Sequence, residues 1–291
     1  MKTKLLKYKI LQFLPGRVGK RYELKHLHRH LYEITRIRAL DSPPFAVFAH
    51  EYIGREIIIH GWYESVLINF LEKHIFPLIS RNSIALDIGA NIGNHSNRFA
   101  NYFNSVHAFE PNKRTYHLLQ ANAMLTPGKI ICHNVGCSDS NFSQAVNFSS
   151  ISVGQASLEA DSSLFHDGIG KQTANFKLVK LDEYLPSKHH AKVGFMKIDV
   201  EGHEKRALKG AEKIICASKP IIAFEANDPE NAPYKYLTGL GYQHFYGFEK
   251  VKKSFRMLKR SRLVEVINSN KSNIEPDMVI ASLTRLEHGR V

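Results

Sequence analysis

Ser83 to Ser96 reads S-I-A-L-D-I-G-A-N-I-G-N-H-S. The apolar run Ile84 to Ile88, broken by Asp87, has the pattern of a buried parallel strand. It enters a turn of small residues, Gly89, Ala90, Asn91 and Gly93, and then a helix-like segment carrying Phe99, Tyr102 and Phe103. A strand, a glycine turn and a helix in that order make a site for a ligand at the helix N-terminus. Bare backbone lets the ligand approach there, and free N–H groups can bond it. Asp87, at the end of the strand, can accept from a cationic or N–H-bearing group. The stretch therefore reads as a nucleoside-cofactor site.

Downstream the pattern repeats as strand, helix, strand. Val106–Phe109, Lys129–Val135, Phe195–Val200, Pro220–Glu225, Gln243–Phe248 and Met278–Leu283 read as strands. The segments around Thr115–Leu125, Glu204–Ile215 and Tyr234–Leu237 read as helices. Such alternation predicts an α/β fold with a mainly parallel, seven-stranded sheet covered by helices on both faces. Between the third and fourth strands lies a polar, Ser-rich insertion, Ser138 to Asn175, long enough to cover a substrate.

Residues 1–80 read as an N-terminal extension, and 81–291 as the cofactor-fold domain. Leu24, Leu27, Leu31 and Ile34 recur at steps of three and four, which predicts an amphipathic helix, with Pro15-Gly16 separating it from a shorter one. The histidines His26, His28 and His30 face different ways and match no metal geometry. Phe45 to Ile59, rich in β-branched residues around Gly54, predicts a β-hairpin. A helix is expected from His60 through Ile75.

The formal net charge is +13, and residues 1–40 hold eleven Lys/Arg against two Glu. A second basic cluster comprises Lys250, Lys252, Lys253, Arg256, Lys259, Arg260 and Arg262. Such patches suit anionic partners: phosphates, acidic saccharides, or an anionic membrane surface met by the N-terminus. Nucleic acid is disfavoured, because no N-P-P-Y-like base-clamping tetrad is present. Three cysteines without metal-site spacing argue against a disulfide framework. The opening K-L-L-K-Y-K-I-L-Q-F-L-P carries lysines through its apolar stretch and lacks a signal-peptide core. No run approaches the ~20 apolar residues of a membrane span. These features set the expected location as cytoplasmic, at most peripheral to the inner membrane face. Oligomeric state is not legible.

In a doubly wound sheet, ligands bind beyond the carboxyl ends of the strands. The polar groups there are Asp87 with the Gly89/Asn91/Gly93 turn, Glu110, Ser138-Asp139, Asp199-Glu201-His203, and Glu225. Any one carboxylate at a strand end is a helix cap as readily as a ligand; five strands ending so form a sharper signal. Glu110, twenty-one residues after Gly89, suits a vicinal ribose diol, which both NAD and S-adenosylmethionine carry. A dinucleotide fingerprint needs G-x-G-x-x-G, and positions 91 and 94 are asparagines. The D-x-G-x-x-x-G form fits S-adenosyl-L-methionine better than NAD.

L-D-I-G-A-N-I-G-N-H-S, F-E-P-N, V-G-C-S-D, K-L-D-E-Y-L, F-M-K-I-D-V-E-G-H-E and L-K-G-A together resemble the FkbM-type methyltransferases, a branch of the class I methyltransferases with a Rossmann-like fold. The likeness runs from about Ser83 to Glu225, with K-I-D-V-E-G-H-E (Lys197–Glu204) its most specific part. V-G-Q-A-S-L (Val153–Leu158) resembles the family's substrate-side hairpin. The resemblance implies that Asp87, Gly89, Ala90, Asn91 and Gly93 surround the methionine part of the cofactor. It implies further that Glu110 clamps the ribose, that Ser138 and Asp139 bracket the adenine, and that Asp199 lies near the sulfonium. It also implies O-methylation of a hydroxyl of a sugar, a polyketide or another glycosylated or secondary metabolite, with a sugar or glycan the leading expectation.

Methyl transfer chiefly needs alignment of nucleophile, methyl and sulfur, and a sugar hydroxyl needs its proton accepted as the bond forms. His203 is the first candidate base, with a pKa near neutrality. Asp199 and Glu201 are its rivals, and a plain helix-start role is the alternative for His203. Asp-x-Glu also offers hard oxygens to a divalent ion, a reading held second to the metal-free one. Two other functions compete: an NAD(P)-linked oxidoreductase, disfavoured by the missing glycines and by the lack of a Tyr-x-x-x-Lys pair, and a non-catalytic cofactor-fold module docking on anionic surfaces.

Overall fold

The structure, a computed structural model, describes residues 16–38, 43–49, 51–149, 171–225, 233–251, 260–265 and 278–286. They fall into two compact units, one ending at Tyr63 and one beginning at Glu64. Among the described residues no helix is long and apolar enough to cross a membrane.

The first unit contains α1 (Gly16–Arg38) and α2 (Tyr52–His60), which pack on each other. Among the described residues, the hairpin expected over Phe45 to Ile59 is absent. Residues 43–48 are irregular, and the β-branched run of isoleucines lies in α2. Two local features override β propensity. Gly61, at φ 82°, returns its N–H to Ile57 O and stops the helix. Gly54 lets α2 pass close to the preceding segment, since a Cβ there would lie 2.1 Å from Phe48 O.

The second unit opens with α3 (Ser65–Phe70), which runs on through a wider turn, Leu71–Ile75, and a tight one, Phe76–Leu78. Its start is therefore Ser65, after Glu64 in the left-handed conformation, and not His60. The sheet follows: β1 (Ile84–Ile88), α4 (Asn94–Phe99), β2 (Ser105–Phe109), α5 (Lys113–Ala123), β3 (Ile130–His133) and β4 (Gly136–Cys137). Then come β5 (Phe142–Ser149), β6 (Lys171–Val179), α6 (Leu181–Tyr184), α7 (Ser187–His190), β7 (Val193–Ile198), α8 (Glu204–Gly210) and α9 (Glu212–Ser218). The chain closes with β8 (Ile221–Glu225), α10 (Tyr234–Gly239), β9 (His244–Val251), β10 (Arg260–Glu265) and β11 (Met278–Ser282).

Strands pair in the order β10-β9-β11-β8-β7-β1-β2-β3. β8, β7, β1, β2 and β3 are parallel, whereas β11, β9 and β10 run antiparallel to their neighbours. The expected seven-stranded, mainly parallel sheet is present, extended at one edge by β10.

Alternation along these strands sorts side chains onto two faces. Ile84, Leu86, Ile88, Phe109, Met196, Ile198 and Phe224 enter one core. Ala85, Val106, Phe195 and Ala223 enter the other, with Phe76, Phe99 and Phe103. The Phe76 and Phe195 rings lie edge-to-face at 5.2 Å.

The insertion Ser138–Asn175 supplies structure where sequence suggested a loop: β5 and β6 form an antiparallel hairpin, joined by β4 in a second sheet. Its tip, 150–170, lies outside the described residues, as do the V-G-Q-A-S-L stretch and basic residues 252–259. The helix expected over Glu204–Ile215 breaks at Ala211. Gly210 there passes Ser138 so closely that a Cβ would sit 1.9 Å from its carbonyl oxygen, and the Asp182 carboxylate accepts from Lys213 and Ile214 N–H to start α9 afresh.

Candidate active site

The face shared by Ala85, Val106, Phe195 and Ala223 carries polar groups at its carboxyl edge. Two residues on from each apolar position stand Asp87, Ala108 then Glu110, Lys197 then Asp199, and Glu225. Backbone bonds carry the ladder past the strand ends: Gly89 N–H donates to Phe109 O, Asp199 N–H to Ile88 O and Glu110 N–H to His133 O. Four adjacent strands thus aim charges at one edge.

Lys197 is at the centre, 2% exposed. Its ammonium donates to Asp199 Oδ2 at 2.9 Å and lies 3.8 Å from Asp87 Oδ1. Burial opposes its charge, but the two carboxylates outweigh burial and raise its pKa. Burial likewise opposes Asp199's charge, yet Lys197 wins and Asp199 is held below its ordinary value. Asp87 is fully buried; its Oδ2 accepts from Ser96 Oγ at 2.5 Å, while its Oδ1 accepts no hydrogen bond.

The turn is built for close approach. Gly89 has φ 79°, and a Cβ on it would lie 1.8 Å from Asp199 O. Asn91 also adopts the left-handed conformation, which directs its N–H to Glu110 Oε2 at 3.1 Å. Asn112 N–H donates to the other oxygen at 2.8 Å. Burial pushes the Glu110 carboxyl up to about 7 against these two bonds. Gly93 precedes α4, a helix of only six residues; Tyr102 and Phe103, expected on it, lie in the turn beyond. The first turn of α4 is buried, with His95 Nε2 3.2 Å from Glu64 Oε2.

Ser138 and Asp139 follow β4. Ser138 is fully buried, its hydroxyl 3.0 Å from His203 Nε2. Asp139 accepts from Arg206 Nε and Nη2, which holds it below the usual carboxylate range. His203, 1% exposed, heads α8. Its Nε2 faces Ser138, so as a base it would first release that contact. Glu201 stands at the strand-end turn, at φ 51°, with part of its surface open to solvent; partial burial of its carboxyl, then the Asp199 and Glu204 charges, raise its pKa. Glu204 holds this turn, accepting from Val200 and Gly202 N–H. No group of three or more His, Cys, Asp or Glu among the described residues could hold a metal ion.

The structure thus brings Asp87, Gly89, Ala90, Asn91, Gly93, Glu110, Asp199 and Glu201 to one edge, while Ser138 and His203 form a buried pair behind Asp139. Sequence reasoning missed Lys197, Ser96, His95 and Glu64. Lys197 had a signal: a lysine inside the apolar run F-M-K-I must find buried counter-charges. Glu64 had none, since it joins the site only through the fold.

Residues 87–265 match the family described as Methyltransferase FkbM domain. Over 129 residues the chain is 32% identical to a hexuronic acid methyltransferase, AglP, of Haloferax volcanii, an alignment covering 44% of this chain and 50% of that protein. The chain therefore spans about half the length of this curated relative. Among solved structures it is similar to a methyltransferase FkbM from Methylobacillus flagellatus (16% identity, TM-score 0.44, covering 96% of this chain and 58% of that one). It is also similar to an rRNA methylase from Streptococcus thermophilus (15% identity, TM-score 0.40, covering 75% and 93%).

Proposed function

Because this chain belongs to the FkbM methyltransferase family, we propose that it moves a methyl group from S-adenosyl-L-methionine to a hydroxyl of a sugar, in a glycan or a glycosylated metabolite. The observation that carries the reading is the row Glu110, Asp87, Lys197 and Asp199 on one face, beside a glycine turn without the glycines a pyrophosphate needs.

The residues fit that cofactor. Glu110 is already ordered by two backbone N–H groups, and each oxygen keeps a lone pair for one hydroxyl of a ribose diol. Asp87 Oδ1, accepting no hydrogen bond, suits the ammonium of the methionine part. The bare backbone at Gly89, Ala90, Asn91 and Gly93 leaves room for the chain between them. Asp139 is assigned to the adenine, with Ser138 and His203 fixing its loop from behind.

When bound, the cofactor supplies a methyl carbon already activated by its sulfonium. What remains for the protein is alignment and the acceptor's proton. Asp199, kept ionised by Lys197, presents a fixed negative charge beside the reacting centre. Of the three candidate bases we favour Glu201: it is exposed, raised in pKa, and two residues on from Asp199 along the chain. His203 has its ring nitrogen committed to Ser138.

A sugar acceptor is supported by the hexuronic acid methyltransferase among its relatives, and an acidic sugar complements a formal charge of +13. Calorimetry with S-adenosylhomocysteine, with NADH as control, is the first test; wild-type protein that binds NADH alone ends this reading. Transfer from methyl-labelled S-adenosylmethionine to a panel of neutral and uronic-acid glycans is the second. Label stable to mild alkali marks an ether at a hydroxyl, whereas label released by it marks a carboxylate ester.

A further inference from the structure

Between Arg21 and Arg36, two stripes run side by side along α1. At ~100° per residue, Leu24, Leu27, Leu31 and Ile34 fall within about 80° of arc. Arg21, Lys25, Arg29 and Arg36 fall within another arc of about 80°, directly beside the first. Glu33 lies beyond both. Leu24 is 65% exposed, Leu27 53% and Leu31 41%, and the four cations are exposed as well. The helix as a whole holds seven Lys/Arg against two Glu. A helix kept in place only by a protein core would bury its leucines; here Leu24, Leu27 and Leu31 are exposed beside a basic stripe, with Ile34 half-buried.

We propose that α1 is an interfacial helix that lays Leu24, Leu27 and Leu31 into an anionic lipid surface while Arg21, Lys25, Arg29 and Arg36 meet its headgroups. The pairing of the two stripes selects this partner. A phosphate-rich nucleic acid needs the cations but gives the adjoining leucines nothing to bury them. An anionic bilayer satisfies both: acyl chains take the leucines at shallow depth, and lipid phosphates sit beside the guanidinium and ammonium groups. At 23 residues α1 has the length to span a bilayer, but its charge keeps it in the plane of the surface. Neither signal alone gives stable attachment, so the binding is reversible and weakens with salt. It would hold the enzyme against saccharides presented at a membrane, and it uses no residue of the candidate active site.

The test is flotation of the full chain with vesicles of phosphatidylcholine alone or mixed with phosphatidylglycerol. The expected result is binding to the mixed vesicles only. Leu24→Gln/Leu27→Gln and Arg21→Gln/Lys25→Gln should each weaken it by at least about tenfold, with S-adenosylhomocysteine binding and helical content unchanged. All these residues are exposed and glutamine is a good helix former; should one pair variant lose helicity, the other pair decides. Wild-type protein that ignores mixed vesicles overturns the proposal, as does a leucine variant that binds them normally. Retention on an RNA homopolymer without vesicle binding would assign the stripe to nucleic acid. A dimer that the leucine variant dissociates, again without vesicle binding, would assign it to a second copy of the chain.

Discussion

Asp87 and Lys197 are register partners on the two central strands, and the lysine ammonium lies 3.8 Å from Asp87 Oδ1 with both side chains buried. Lys197 also holds Asp199, so one cation is shared between two carboxylates from adjacent strands. Replacing it leaves the buried Asp87 carboxylate uncompensated and the part-exposed Asp199 unpaired, a loss of about 3–5 kcal/mol when a buried pair is broken from one side. Lys197→Met should therefore unfold at markedly lower urea and bind S-adenosylhomocysteine poorly. Lys197→Met/Asp199→Asn should recover part of the stability without recovering activity. Urea titration and calorimetry on both variants check this.

Glu110 has its carboxyl pushed up to about 7 from 4.5 by burial. Its ionised form is the better acceptor for a ribose diol, so S-adenosylhomocysteine should bind roughly tenfold more weakly at about pH 6 than at about pH 7.5. Stability runs the other way: a raised carboxyl pKa favours the folded state below 4.5, a contribution lost as pH rises through about 7. Glu110→Gln should abolish the pH dependence of binding and lower affinity about 10- to 100-fold. Calorimetry across this range measures both.

Gly89 meets two constraints at once, φ 79° and a carbonyl oxygen 1.8 Å from where a Cβ would stand. Because the obstruction is the backbone of Asp199, no side-chain rotation relieves it. Gly89→Ala should cost on the order of 3 kcal/mol and move the end of β7 away from the turn. The expected result is loss of measurable S-adenosylhomocysteine binding, together with a lower thermal midpoint by scanning calorimetry.

On the opposite face, His107 Nδ1 lies 3.0 Å from His133 Nε2, their rings stacked, with His189 edge-on to His107. Burial, and after it the His133 and His189 charges, lower His107 to about 4, and burial lowers His133 to about 4. Lys188, Lys192 and His190 beside His189 add to the positive surroundings. A depressed histidine pKa means the unfolded chain takes up protons first. Stability should be full above about 6.5 and fall as pH drops toward about 4, by up to ~1.4 kcal/mol per pH unit for each histidine. His107→Phe should flatten that slope, which urea unfolding at several pH values reads directly.

Ser83–Ser96 alone determined the strand and the glycine turn, and carried the reading of a cofactor without a pyrophosphate, because strand period, turn glycines and their spacing are local properties of a chain. The same locality made Glu110 and the strand-end carboxylates legible. Local reading failed at Phe45–Ile59, where β-branched residues predicted strands. A glycine stop at Gly61 and the close pass at Gly54 made a helix instead. It failed again at Ala211, where Asp182, thirty residues earlier, caps a second helix. Tertiary structure alone decided the electrostatics of the opening stretch. Asp87 is useful as a buried carboxylate only because β7 lies beside β1 and places Lys197 opposite it. His203 is a candidate base by residue type, and packing alone sets its ring nitrogen against the Ser138 hydroxyl. A residue type states which protons and charges it can carry; the neighbours that folding brings from distant parts of the chain decide whether it can use them.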